Sequence, residues 1–219
     1  MFGEASGAKG RVRIKICGIT NLADASAAIE CGADALGFNF FPGSKRYINA
    51  QREAAWLTQL PVGVFKVAVL VDPTWAEAMA AASWPFIDAL QLHGNEPPQF
   101  CRRLAEEGIS FVKALPVSDR EWGSDIPDFF TDTVLLDSNS VRGFGGSGET
   151  FPWSLGREFV QGHPNLKVIL AGGLNPENIA EAVAVVRPYA VDVTTGVEAA
   201  PGRKDLGRLR AFFSALSPR

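Results

Sequence analysis

Val12-Arg13-Ile14-Lys15-Ile16 runs straight into Cys17-Gly18-Ile19-Thr20, and the form of that stretch recurs along the chain. An apolar segment of strand length ends at a turn, and a segment of helix length follows. Eight such segments are legible. The sixth, Val134-Leu135-Leu136, stops at Asp137-Ser138. The seventh and eighth stop at Ala171-Gly172-Gly173 and Thr195-Gly196. Strands separated by helices imply a parallel sheet built from βαβ units. Eight units predict an α/β protein of one closed (β/α)8 TIM barrel. In that architecture the strand C-termini converge on one face, where catalysis sits. A thiol and a carboxylate at two strand ends, with glycine turns at two others, make a candidate active site.

The bulk numbers agree with this. The chain has 219 residues, 47% hydrophobic and 21% charged, an ordinary globular composition. Roughly 200 residues are enough for one barrel with little decoration. With a formal charge of -3 and no block of lysine and arginine, no nucleic-acid partner is expected. No apolar run approaches the roughly 18 residues of a membrane span, so no membrane partner is expected either. Residues 1–10 read as a short disordered tail and 11–219 as a single catalytic barrel domain. Cys17, Cys31 and Cys101 are odd in number and widely spaced. They suit neither a disulfide set nor a metal motif, so a reducing cytoplasm is the expected compartment.

Further along, helix three is expected to open at Asp72-Pro73-Thr74 with proline in the first turn. Helix four is expected from Pro97 to Gly108, helix seven from Pro176, and the last helix from about Lys204 to Leu216. The stretch from Pro116 to Asp132 has room for a short fifth helix. The glycine- and serine-rich loop from Gly143 to Gly148 reads either as a lid that could close over a substrate or as a merely mobile loop.

Two-residue periodicity sorts the strand faces. Val12, Ile14 and Ile16 belong against the helices, so Lys15 and Cys17 point into the barrel. On strand eight Val191 and Val193 face outward, so Asp192 and Thr194 point in. Closure makes strands one and eight neighbours. A buried lysine without a partner is costly, so Lys15 and Asp192 are expected to pair.

Gly172, Gly173, Thr195 and Gly196 follow strands seven and eight, where barrels often hold a phosphate with backbone N–H groups and a helix N-terminus. Taken together, the two turns outweigh the plainer reading as tight turns, and a phosphorylated substrate is expected. Cys17 is inward and at a strand end. A neighbouring Lys15 ammonium and a nearby helix start would favour its thiolate. Asp137 ends an apolar strand at the barrel mouth, where a carboxyl can hold a proton for a leaving oxygen if burial raises its pKa. A thiol and a carboxyl across one mouth suit a proton-shuttling isomerisation. Arg46, in the polar loop after strand two, has the fork that fits a substrate carboxylate. His93 follows Gln91-Leu92 and reads either as a mouth residue or as a satisfied structural histidine. His163 reads as surface. Two histidines so placed form no usual metal site.

These segments in order resemble the phosphoribosylanthranilate isomerase family of tryptophan biosynthesis. The resemblance rests on Lys15-Ile16-Cys17-Gly18-Ile19-Thr20, Gly32-Ala33-Asp34-Ala35-Leu36-Gly37-Phe38, Ser44-Lys45-Arg46, Gln91-Leu92-His93-Gly94 and Leu136-Asp137-Ser138. It continues through Gly145-Gly146-Ser147-Gly148, Leu170-Ala171-Gly172-Gly173-Leu174, Val191-Asp192-Val193-Thr194-Thr195-Gly196-Val197-Glu198 and Gly202-Arg203-Lys204-Asp205. It implies an Amadori rearrangement without metal or organic cofactor. Asp137 would be the general acid at the ring oxygen and Cys17 the general base at C2. Arg46 would clamp the anthranilate carboxylate, and His93 would be a substrate-binding residue. Gly172, Gly173, Thr195 and Gly196 would cradle the phosphate. The implied partner is a phosphorylated, carboxylate-bearing small molecule, and the implied state a monomer or homodimer. The chain departs from the family pattern at Asp72, at Pro152 and at Thr194-Thr195, where serines are usual.

Several rivals fit less well. The related aminoaldose isomerases of histidine biosynthesis share the phosphate turns but carry aspartate where Cys17 stands. A metal-dependent epimerase needs histidines and acids at strand ends that this chain lacks. A Schiff-base aldolase needs an inward lysine at the mouth, for which Lys113 is the candidate. A barrel that only binds a phosphorylated ligand would have no use for both Cys17 and Asp137.

Overall fold

The computed structural model describes residues 11–117, 128–138 and 151–217. The expected tail, the Gly143–Gly148 loop and most of the stretch with room for a fifth helix lie outside these residues. Eight parallel strands close on themselves in sequence order. They are β1 (Arg13–Cys17), β2 (Ala35–Asn39), β3 (Phe65–Leu70), β4 (Ala89–Leu92), β5 (Phe111–Pro116), β6 (Thr133–Asp137), β7 (Lys167–Leu170) and β8 (Ala190–Val193). Helices α1 (Leu22–Glu30), α2 (Ala50–Leu57), α3 (Trp75–Ala82), α4 (Pro98–Glu106), α5 (Trp153–Gly162), α6 (Ile179–Val186) and α7 (Leu206–Ala215) accompany them. None of the described helices is long and apolar enough to cross a membrane.

The strand faces divide as the periodicity requires. Ile14, Ile16, Leu36, Phe38, Val191 and Val193 are buried in the layer shared with the helices. The barrel interior is lined instead by Ala35, Val112, Ala114, Leu135, Ile169 and Ala190. Alanines there leave room for longer polar side chains. In the register of β1 on β8, Lys15 stands opposite Asp192. Lys15 is 0% exposed, and its Nζ lies 3.0 Å from Asp192 Oδ1. The pairing expected from alternation is therefore present. Burial opposes the Lys15 charge, but Asp192, and after it Cys17, outweigh burial and raise its pKa.

Helix ends correct several expected boundaries. At α3 the Thr74 hydroxyl accepts from Glu77 N at 3.3 Å, and Glu77 Oε2 accepts from Thr74 N at 2.8 Å. This capping box makes Thr74 the N-cap and leaves Pro73 outside the helix. At α6 the Asn175 side chain accepts from the N–H groups of Glu177 and Asn178, both at 3.0 Å. The resulting Asx turn takes up Pro176, so the helix begins only at Ile179. At the C-terminus Asp205 caps α7 by accepting from Arg208 N at 2.9 Å. Lys204 is not helical. It belongs to a two-stranded antiparallel pair, β9 (Glu198–Ala200) with β10 (Arg203–Lys204).

Removing one member of a buried ion pair leaves the other uncompensated, at about 3–5 kcal/mol. Asp192→Ala should lose about that much stability in urea titration, with the m-value unchanged. A loss below about 1 kcal/mol would mean that Asp192 is not what holds the Lys15 charge.

Candidate active site

All eight residues singled out in the sequence line one cavity at the C-terminal mouth of the barrel: Cys17, Arg46, His93, Asp137, Gly172, Gly173, Thr195 and Gly196. Each arrives on its own strand end or on the loop that follows it, so barrel closure alone brings together residues far apart in sequence.

Cys17 ends β1, and its side chain lies against β2, where its register partner is Gly37. A Cβ on Gly37 would sit 2.7 Å from Cys17 Sγ and 3.0 Å from Lys15 Cε and Nζ. Glycine is therefore required inside this strand, as close approach of neighbouring groups predicts. Cys17 is buried, and burial pushes its thiol pKa up. Lys15, and more weakly Lys204, oppose the shift without cancelling it. The sequence leaves open whether the site lowers this pKa or works with a small thiolate fraction, and burial decides for the second. Lys15 spends its charge on Asp192, and desolvation dominates at the sulfur.

Asp137 ends β6 and is largely buried. Its Oδ2 lies 3.2 Å from Nε2 of His93, and Nδ1 of His93 lies 2.8 Å from Gln91 Nε2. His93 is thus a mouth residue, held between the amide on β4 and the acid on β6. Sequence reasoning assigned Gln91 no role, although an amide on an inward position of a four-residue strand was a signal.

Arg46 is neither solvated nor unattached. Its Nε donates to Glu198 Oε1 at 2.8 Å, and its Nη2 donates to Glu198 Oε2 at 2.6 Å and to Thr195 Oγ1 at 3.2 Å. The hydrogen bond to Glu198 raises the Arg46 pKa further. Glu198 also accepts from Lys204 Nζ at 3.1 Å, and that ammonium reaches the carbonyls of Cys17 at 2.6 Å and Thr194 at 3.3 Å. Burial works against ionisation of Glu198, but Arg46 and Lys204 prevail and its pKa is lowered. Burial lowers the Lys204 pKa, with Glu198 only partly offsetting it. Glu198 and Lys204 stand in segments that carry the family resemblance, but sequence reasoning assigned neither a role. Both sit in the short β9–β10 pair, which has too few residues to show a period.

The two glycine turns are built for close approach. Gly172 and Gly173 have φ of 83° and 63°, which favours glycine. A Cβ on Gly172 would strike Ser138 Oγ, and one on Gly196 would strike the Leu174 carbonyl oxygen. Among the described residues the N–H groups of Gly172 and Gly173 donate to no backbone or side-chain acceptor. Lys113, the candidate aldolase lysine, is committed elsewhere. Its Nζ donates to Glu96 Oε2 and to the Gly94 carbonyl, both at 2.7 Å.

The raised Cys17 pKa has a direct readout. Alkylation of Cys17 by iodoacetamide, followed by peptide mass mapping, should still be accelerating at about pH 9, above the ordinary thiol range near 8.5. A plateau by about pH 7, as for an activated thiolate, would contradict the burial argument.

Comparison with known proteins gives a consistent result. The family model described as PRAI, N-(5'phosphoribosyl)anthranilate (PRA) isomerase, matches residues 14–215. The N-(5'-phosphoribosyl)anthranilate isomerase of Thermotoga maritima is 45% identical over 202 residues, 92% of this chain and 97% of the relative. A crystal structure of a phosphoribosyl anthranilate isomerase in complex with reduced 1-(o-carboxyphenylamino)-1-deoxyribulose 5-phosphate superposes with a TM-score of 0.78 at 40% identity. It covers 94% of this chain and 98% of that one. A structure of mutually generated monomers of the dimeric Thermotoga maritima enzyme superposes with a TM-score of 0.77 at 39% identity over the same shares.

Proposed function

Given that this chain belongs to the N-(5'-phosphoribosyl)anthranilate isomerase family, we propose that Asp137 and Cys17 are the acid and base of its aldose-to-ketose rearrangement. The chain is an isomerase of tryptophan biosynthesis. It converts N-(5-phosphoribosyl)anthranilate to 1-(2-carboxyphenylamino)-1-deoxyribulose 5-phosphate. The observation that carries the assignment of roles is the single cavity shared by Cys17, Asp137, Arg46 and both glycine turns.

The chemistry divides into two proton transfers. Asp137 gives its proton to the furanose ring oxygen as the bond from C1 to that oxygen breaks. The anthranilate nitrogen supplies its lone pair, and a protonated Schiff base forms at C1. The Cys17 thiolate then takes the proton from C2. The electrons of that C–H bond form a C1–C2 double bond and neutralise the nitrogen. The resulting enolamine ketonises by gaining a proton at C1 and losing the one on its 2-hydroxyl. Burial makes the Cys17 thiolate scarce but a stronger base once formed, which suits a carbon-bound proton.

Binding follows the charges. The substrate is a phosphorylated small molecule. The phosphate rests on the N–H groups of Gly172 and Gly173, which are unpaired among the described residues, with Thr195 and Gly196 opposite. Arg46 meets the anthranilate carboxylate through Nη1, which makes no hydrogen bond among the described residues. His93 borders the sugar beside Asp137. The working location is the cytoplasm, and the working form a monomer or homodimer.

Cys17→Ser and Asp137→Asn should each lose at least about 10²-fold in kcat, followed by fluorescence of the anthranilate group. Near-full activity in either variant removes that residue from its role. Gly196→Ala should act differently. Its Cβ meets backbone that cannot swing aside, so KM should rise by at least about tenfold, or ~1.4 kcal/mol. An unchanged KM would place the phosphate elsewhere.

A further inference from the structure

The mechanism above leaves one buried group at the mouth without a role. Gln91 is 1% exposed and lines the cavity. Its Nε2 points at His93 Nδ1 at 2.8 Å, while its Oε1 is buried and has no hydrogen-bond partner among the described residues. Leaving a buried acceptor unpaired destabilises the fold. An apolar side chain at this position would avoid that cost, so the amide is retained for what its other end does.

The hydrogen bonds define that task. An amide nitrogen only donates, so its contact with Nδ1 of His93 is a hydrogen bond only in the tautomer that has a lone pair on Nδ1 and the ring proton on Nε2. In that tautomer the Nε2–H faces Asp137 Oδ2, 3.2 Å from Nε2. A carboxyl that accepts through Oδ2 keeps its own proton on Oδ1. We propose that Gln91 is a positioning residue that holds His93 as the Nε2–H tautomer, pins Asp137 Oδ2, and so leaves the acidic proton on Oδ1 for the substrate. This rests on the assignment of Asp137 as the acid.

The other tautomer shows what is at stake. With the proton on Nδ1, Nε2 would be an acceptor aimed at Oδ2. The proton of Asp137 would then be drawn into a hydrogen bond with His93 and away from the ring oxygen. One amide bond thus decides whether the acid faces its substrate or its neighbour, a second-layer effect known to set imidazole roles elsewhere.

The first test needs no variant of the site. The chain has two histidines, so the full-length protein labelled with 15N-histidine gives two ring systems, and His163→Gln identifies which is which. At neutral pH His93 should show the Nε2–H tautomer. An Nδ1–H tautomer or an imidazolium would overturn the proposal.

Kinetics supply the second test. Gln91→Met keeps length but loses the donor. It should lower kcat at least about tenfold, part of the roughly 10²–10⁴-fold that a positioned acid contributes, with little change in KM. Gln91→Glu can only accept, so it draws the proton to Nδ1 and should fall below Gln91→Met. Wild-type kcat in the methionine variant, or a glutamate variant more active than it, would overturn the proposal. If neither variant folds, the wild-type tautomer decides. Failure of the acid assignment is distinguishable, because it appears as activity in Asp137→Asn whatever the tautomer of His93.

Discussion

The site depends on a charge that cannot be left alone. Lys15 lies wholly inside the barrel, and a lone ammonium there would lose its hydration without return. Asp192, directly across the β1–β8 seam, satisfies it. That pairing joins the first strand to the last, the contact on which closure rests. It also fills the barrel floor beneath the mouth, so Cys17, two residues on, can point only into the cavity or against Gly37. The position of the sulfur follows from the position of the salt bridge.

Charge balance continues upward. Lys113 is matched by Glu96, and Lys204 by Glu198. Glu198 is shared, however, because Arg46 takes both of its oxygens. Two cations therefore stand on one carboxylate at the rim of the cavity, which leaves a local positive excess in a chain whose net charge is -3. A partly dehydrated positive rim is what a substrate bearing phosphate and carboxylate requires. Lys204 also donates to the carbonyls of Cys17 and Thr194, tying the rim to the ends of β1 and β8.

Much of this is legible in the sequence alone. Alternation in Val12–Cys17 and Val191–Thr194 was enough to place Lys15 opposite Asp192, because strand period is rigid. The eight cavity residues were legible because each ends a strand or lies in the loop that follows one, and strand ends converge. Helix starts were read less well. Pro73 and Pro176 looked like first-turn prolines, but Thr74 and Asn175 hold backbone N–H groups that decide the caps, and such competition is invisible in residue type alone. Glu198 and Lys204 escaped because a strand pair of three and two residues has no period to read. The Cys17 pKa was not legible, because it is a contest between desolvation and Lys15 that residue type alone does not weigh.

The separation of acid from base has its own logic. Cys17 ends β1 and Asp137 ends β6, and these strands are not neighbours: β1 pairs with β2 and β8, while β6 pairs with β5 and β7. A thiolate touching a carboxylic acid would take its proton, and both groups would be spent. Placed on non-adjacent strands, they can meet only through the substrate between them. Burial then sharpens the division. It makes the sulfur a scarce but strong base, while His93 takes one carboxyl oxygen of Asp137 and leaves the other to the ligand. The barrel contributes distance, and the polar groups beneath its rim contribute direction.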